Sequence, residues 1–159
     1  MKNIFFNLAP SLEHKFFTLL NDGTEFLNLN LGIISRIYNE VYRVYGVSNN
    51  TMNILVGDDF ELSKTYCLDI LNRQKTLYYQ DVAKITGMEK HPCYITTQLR
   101  AYIGTPILIE GRFWGTLNYS ALEPTKLHYS EEDLKYIQNQ AQEITELLLC
   151  NYQDPFELK

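Results

Sequence analysis

Tyr102-Ile-Gly-Thr-Pro-Ile-Leu-Ile109, then Glu110-Gly111, then Arg112-Phe-Trp-Gly-Thr-Leu-Asn-Tyr119 is the stretch that decides the fold. Both flanks are rich in β-branched and aromatic side chains, which suit a pleated surface. A two-residue turn holding a glycine joins them, and glycine accepts the positive φ of a tight hairpin. The stretch therefore reads as two antiparallel strands. Because strand side chains alternate, Thr116 and Asn118 share one face while Leu117 and Tyr119 share the other. Pro106 has no N–H, so one edge of its strand is expected to be unpaired at that point.

Downstream, Ser130-Glu-Glu-Asp133 is a capping box with acid in the first helical turn, where the helix dipole favours it. Leu134, Ile137, Ala141, Ile144 and Leu148 then recur at helical spacing, and Asp154-Pro155 stops the helix. At the other end, Leu12, Phe16, Leu19, Gly23 and Phe26 make an apolar stripe over Pro10 to about Asn28, with a break expected near Asp22-Gly23. Gly32–Tyr38 and Val41–Val47 flank Asn39-Glu40 and read as a second hairpin, with Ile33, Ser35 and Ile37 on one face and Ile34, Arg36 and Tyr38 on the other. Between the hairpins the text is weaker. It suggests a strand at Met52–Val56, a helix capped by Ser63 and running to about Asn72, and a strand at Thr76–Gln80. A loop with a helical turn at Val82–Ile85 follows, and then a helical turn at Ile95–Arg100. Strand pairs at both ends predict an α+β fold on an antiparallel sheet rather than a parallel βαβ fold.

The chain has 159 residues, 45% hydrophobic and 21% charged, which is enough for one core and fits an ordinary globule. Fourteen basic residues against nineteen acidic ones give a net charge of −5, and no two Lys or Arg are adjacent. Phosphate binding through counterion release needs a basic stripe, so nucleic acid is not expected as a partner. No apolar run reaches the roughly 18 residues of a membrane span, and Ile4-Phe5-Phe6 is too short for a signal-peptide core. Cys67, Cys93 and Cys150 form no Cys-x-x-Cys pair and are odd in number, which predicts reduced thiols in a cytoplasmic protein. Hydrolase and kinase chemistry have no support, for there is no Walker loop, His-Glu-x-x-His motif or Ser-His-Asp pattern.

Five segments then fall in order: Leu29–Ile37, Phe60–Cys67, His91-Pro-Cys-Tyr94, Ala101–Ile107 and Gly115–Ser120. Together they resemble one branch of the GAF domain family, the sensor modules found with histidine kinases and diguanylate cyclases. The likeness runs over about residues 12–150 of what reads as a single domain, residues 1–159. It implies a central antiparallel sheet of five to six strands, terminal helices packed on one face, and a ligand pocket roofed by short helices and loops on the other. It further implies a small-molecule ligand, a homodimer joined through the terminal helices, and an output partner of the kinase or cyclase kind. No output domain follows the last helix, and the Asp154-Pro155 stop favours a free-standing module over an excised one.

The family's layout puts Cys67 and Cys93 on the pocket side, and Tyr66, His91 and Tyr94 beside them are taken as candidate ligand-binding residues. Bilin attachment to a cysteine is one reading, since Arg112-Phe-Trp-Gly115 is similar to the phytochrome-like version, although Tyr94 stands where those attachment cysteines are commonly followed by His. Reduction of free methionine sulfoxide by a thiolate with a resolving cysteine is a second. A metal or haem held by His91, Cys93 and Cys67 is a third. The plain alternative is that Cys67 and Cys93 are small buried hydrophobes. Arg36 is read either as the partner of an anionic ligand group or as an ion pair with Asp58 or Glu61. Thr116 and Asn118 are read as hydrogen-bonding either a ligand or a loop. The cofactor, if any, is left open.

Overall fold

A computed structural model describes residues 10–159. The Ile4-Phe5-Phe6 stretch lies outside the described residues. Helix α1 spans Pro10–Leu27 and is not broken at Gly23. Glycine is needed there because a Cβ would sit 1.9 Å from the Tyr119 hydroxyl oxygen. The position spends about 1 kcal/mol of helix propensity to let a tyrosine rise from the sheet.

Strands β1 (Leu31–Tyr38) and β2 (Val41–Val47) form the expected hairpin, turned through Asn39 and Glu40 at positive φ. The register slips between Ile34, opposite Gly46, and Ser35, opposite Val44, so β2 carries one extra residue. That bulge leaves Tyr45 and Gly46 both on the helix side, while Tyr42 and Val44 face the other way.

The middle of the chain differs from expectation in three places. Met52–Val56 is not a strand. The Asn50 side chain captures its backbone instead, accepting from the N–H groups of Met52 and Ile54 and donating to the Ile54 carbonyl. The strand that does form is the short edge β3 (Asp59–Glu61). Ser63 is not a helix cap but lies inside a 3-10 turn, Leu62–Lys64, and helix α2 starts later, at Cys67–Arg73. Helix α3 occupies Pro92–Thr97 rather than Ile95–Arg100, because Pro92 suits a first helical turn and the His91 ring caps it. Strand β4 (Leu77–Tyr79) and the 3-10 turn Val82–Lys84 lie where the sequence suggested.

Strands β5 (Ala101–Ile109) and β6 (Arg112–Ala121) form the long hairpin, with Glu110 and Gly111 both at positive φ. Their antiparallel neighbours complete a six-stranded sheet in the order β3-β2-β1-β6-β5-β4. Strand β4 pairs β5 only from Tyr102 to Gly104, so it stops short of Pro106. Helix α4 (Glu131–Asn151) carries the capping box, with Ser130 and Asp133 bonding reciprocally.

The sheet separates two cores. On one face α1 and α4 pack over Ile34, Ile103, Ile107, Trp114, Leu117 and Tyr119. On the other, the segment from β3 to α3 packs over Leu31, Ile33, Tyr42, Val44 and Tyr102. Strand β1 is buried on both faces, which accounts for its nearly continuous apolar text. Among the described residues no helix is long and apolar enough to cross a membrane.

Candidate functional site

A cavity of about 170 Å³ lies between the sheet and the β3–α3 cover. Its floor is made of Leu31 and Ile33 on β1, Tyr42 on β2, Tyr102 on β5, and Asn118 and Ser120 on β6. The period of two along β6 turns both polar side chains the same way. The roof is Tyr66 and Cys67 at the start of α2, Cys93 and Thr97 on α3, and Leu99. Met52, Ile54, Phe60, Glu61 and Lys64 surround the mouth. Larger, more open grooves run along α1 on the surface, and a further groove of about 350 Å³ adjoins the cavity past Leu31, Met52, Leu99 and Ser120. The covered space with apolar walls and a few polar groups is the one built like a binding site.

Cys67 sits at the centre of a polar knot beneath the roof. Its sulfur lies 3.0 Å from the Tyr102 hydroxyl, 3.2 Å from Thr116 Oγ1 and 3.3 Å from Asn118 Nδ2. Asn118 Nδ2 also donates to the Tyr42 hydroxyl at 2.8 Å, and Thr116 shares a 2.8 Å bond with Ser35. Burial pushes the Cys67 thiol up to about 12 and raises that of Cys93 as well. Both sulfurs are thus protonated at neutral pH, and neither is a ready nucleophile.

The structure brings together Tyr66, Cys67, Cys93 and Asn118 at the cavity, with Thr116 just beneath. His91 and Tyr94 stand behind the roof. The His91 Nδ1 atom accepts from the Cys93 N–H at 3.0 Å, capping α3, and the ring packs against Tyr66. Among the described residues no three His, Cys, Asp or Glu side chains converge as a metal site.

Arg36 is elsewhere: it lies buried on the helix side of the sheet, away from the cavity. Its guanidinium donates to the carbonyls of Ile37, Trp114, Phe156 and Leu158. The suggested pair with Asp58 or Glu61 is not made, and the donors are turned to main-chain carbonyls. The residues after α4 fold back and take them instead.

Sequence reasoning missed Ser120, Tyr42 and Tyr102. Ser120 was within reach, since it continues the Thr116–Asn118 alternation. Tyr42 and Tyr102 had no local signal marking which face they take.

A family model for the GAF domain matches residues 11–146. The chain belongs to the GAF domain family. This GAF domain is similar in fold to the GAF domain region of a Geobacter sulfurreducens PCA protein (TM-score 0.70, 19% identity, 88% of this chain and 94% of that one). It is also similar to the GAF domain of an Acinetobacter phosphoenolpyruvate-protein phosphotransferase (TM-score 0.70, 14% identity, 91% and 86% covered). The phycocyanobilin-bound GAF domain of a cyanobacterial phytochrome is a third likeness (TM-score 0.66, 18% identity, 89% and 88% covered). No curated protein sequence matches significantly.

The His91 cap makes the roof of this GAF domain sensitive to acid. Burial lowers the His91 pKa, and Asp69 only partly opposes that. A base whose folded pKa is depressed adds stability above its unfolded pKa and loses it as pH falls toward the folded value. Stability is therefore expected to fall as pH drops from about 6.5. Thermal melts between pH 7.5 and 5.5 check this: the variant His91→Asn keeps a capping side chain but cannot titrate, and should flatten the slope. An unchanged slope would reject the assignment.

Proposed function

We propose that this GAF domain is a small-ligand sensor that acts through its terminal helices on a partner or a second copy of itself. The covered cavity between sheet and roof carries the reading. Covalent bilin binding fits less well, because the covered cavity alone is about 170 Å³ and burial raises the pKa of both cysteines beside it. Thiol-dependent reduction fits poorly as well, since burial keeps both roof thiols protonated.

The route to the helices passes through β6. Asn118 and Ser120 face the cavity, and Tyr119 between them faces the helices. The Tyr119 hydroxyl donates to Gln140 Oε1 on α4, and Gln140 Nε2 donates to the Leu19 carbonyl on α1 at 3.0 Å. One residue of strand therefore separates a ligand contact from the polar tie between the two helices. A ligand acts on the helices only if it favours one arrangement of that tie over another.

Native mass spectrometry with a fragment set, cyclic AMP and biliverdin, followed by amide exchange on whatever binds, tests the proposal. The expected result is a bound species that changes exchange in α1 and α4, with the change reduced in Tyr119→Phe. Binding that leaves both helices unchanged would defeat the signalling half, and no binding at all would defeat the sensor reading.

A further inference from the structure

Two polar atoms at the floor of the cavity have no hydrogen-bond partner among the described residues. Asn118 spends its Nδ2 atom on the Tyr42 hydroxyl and Cys67, while its Oδ1 atom accepts nothing among the described residues. Ser120 Oγ likewise makes no hydrogen bond among them, although the residue is only 2% exposed. No described side-chain N or O sealed from solvent lacks a partner, so both oxygens open into the accessible space of the cavity they line. Polar groups that open into a covered space are paired there by water or by a guest that replaces it.

The remaining walls point to what would pair them. Tyr42, Phe60, Tyr66 and Tyr102 set aromatic rings around the space, with Met52 at its mouth. Ring edges, ring faces and a thioether favour an aromatic guest. The charged side chains at the site, Glu61 and Lys64, stay at the rim and pair with each other at 3.5 Å. An ionised group inside would be desolvated without a counter-charge. A cavity of about 150 Å³ lined by apolar chains holds benzene, and this one is about 170 Å³.

Resting on the sensor reading above, we infer that the ligand is a small neutral aromatic molecule with a hydrogen-bond donor, of the size of phenol or indole. Its O–H or N–H is placed on Asn118 Oδ1, and the Ser120 hydroxyl offers a second contact as donor or acceptor. The ring lies among the tyrosines.

Isosteric pairs test this on the unaltered chain. Phenol is compared with toluene and anisole, and indole with indene, by calorimetry or ligand-observed NMR, with benzoate, cyclic AMP and biliverdin as the larger or charged arms. The donor-bearing member of each pair should bind about 10-fold tighter, the worth of one net hydrogen bond. In Asn118→Leu the preference should vanish, and if that variant does not fold, the isosteres alone still decide. Equal binding of toluene or anisole overturns the donor assignment. Binding of only biliverdin or cyclic AMP overturns the ligand class while leaving the sensor reading intact. Failure of every probe, with water alone on Asn118 and Ser120, removes both.

Discussion

Gly115→Ala should cost about 4 kcal/mol, the size expected when a core substitution has nowhere to relax. Gly115 lies opposite Arg36 where β6 pairs with β1, at the middle of the sheet. A Cβ built there would stand 1.8 Å from the Ser35 carbonyl oxygen and 2.9 Å from its carbon. Those are backbone atoms, so no rotamer change relieves the clash and the two central strands must part. The same pair carries the Ser35–Thr116 hydrogen bond beneath Cys67, so the cavity floor would shift with it. At about 2–4 °C per kcal/mol for a chain of this size, the melting temperature should fall by about 10 °C. Gly111→Ala is the natural comparison: it has open space around it and pays only for a left-handed backbone, about 1–2 kcal/mol. Equal melting temperatures for the two variants would contradict the close-approach argument.

Arg36→Met comes next, at about 3 kcal/mol. Methionine keeps much of the stem but takes the donor from the carbonyls of Ile37, Trp114 and Leu158, while the Phe156 carbonyl keeps Lys159 Nζ. The guanidinium also lies about 5.5 Å from the Trp114 and Phe156 ring centres, so cation–π attraction is lost as well. Burial lowers the Arg36 pKa, but a guanidinium keeps its charge, and the carbonyl dipoles are what hold that charge on the helix side. Trp114 reports on the outcome directly. It is the single tryptophan, and its indole N–H donates to the Pro155 carbonyl at 2.9 Å. When Arg36 no longer holds residues 156 and 158, that bond should open and the emission shift to the red. Arg36→Lys should not rescue it, because one ammonium cannot span carbonyls that a planar fork reaches together. An unchanged emission spectrum and melting temperature in Arg36→Met would refute the latch.

The elements read correctly from sequence are those whose cause is local. The hairpin at Glu110-Gly111 follows from two adjacent residues that must take positive φ between β-branched runs. The start of α4 follows from Ser130 and Asp133 bonding each other three residues apart. The family follows from segments in fixed order, and the outer architecture from the family. Where sequence reading failed, a side chain or a partner distant in the chain intervened. Met52–Val56 has the composition of a strand, yet Asn50 claims its backbone. Gly23 looks like a helix break, yet it makes room for Tyr119 from a strand far along the chain. Arg36 was read as meeting a ligand anion or an acid, but its partners on residues 156 and 158 are set by where the chain returns after α4.

The amino-acid order by itself determined the two hairpins, the capped start of α4, the alternation of Thr116 and Asn118 against Leu117 and Tyr119, and the family. Tertiary structure alone decided that Cys67 is a protonated thiol in a hydrogen-bonded knot, that Arg36 serves the helix face, and that the cavity is small with two oxygens at its floor unpaired among the described residues. The physical reason is range. Turn, cap and alternation energies act between residues a few positions apart, whereas cavity volume, desolvation and the pairing of buried polar atoms depend on which distant side chains the folded sheet brings into contact.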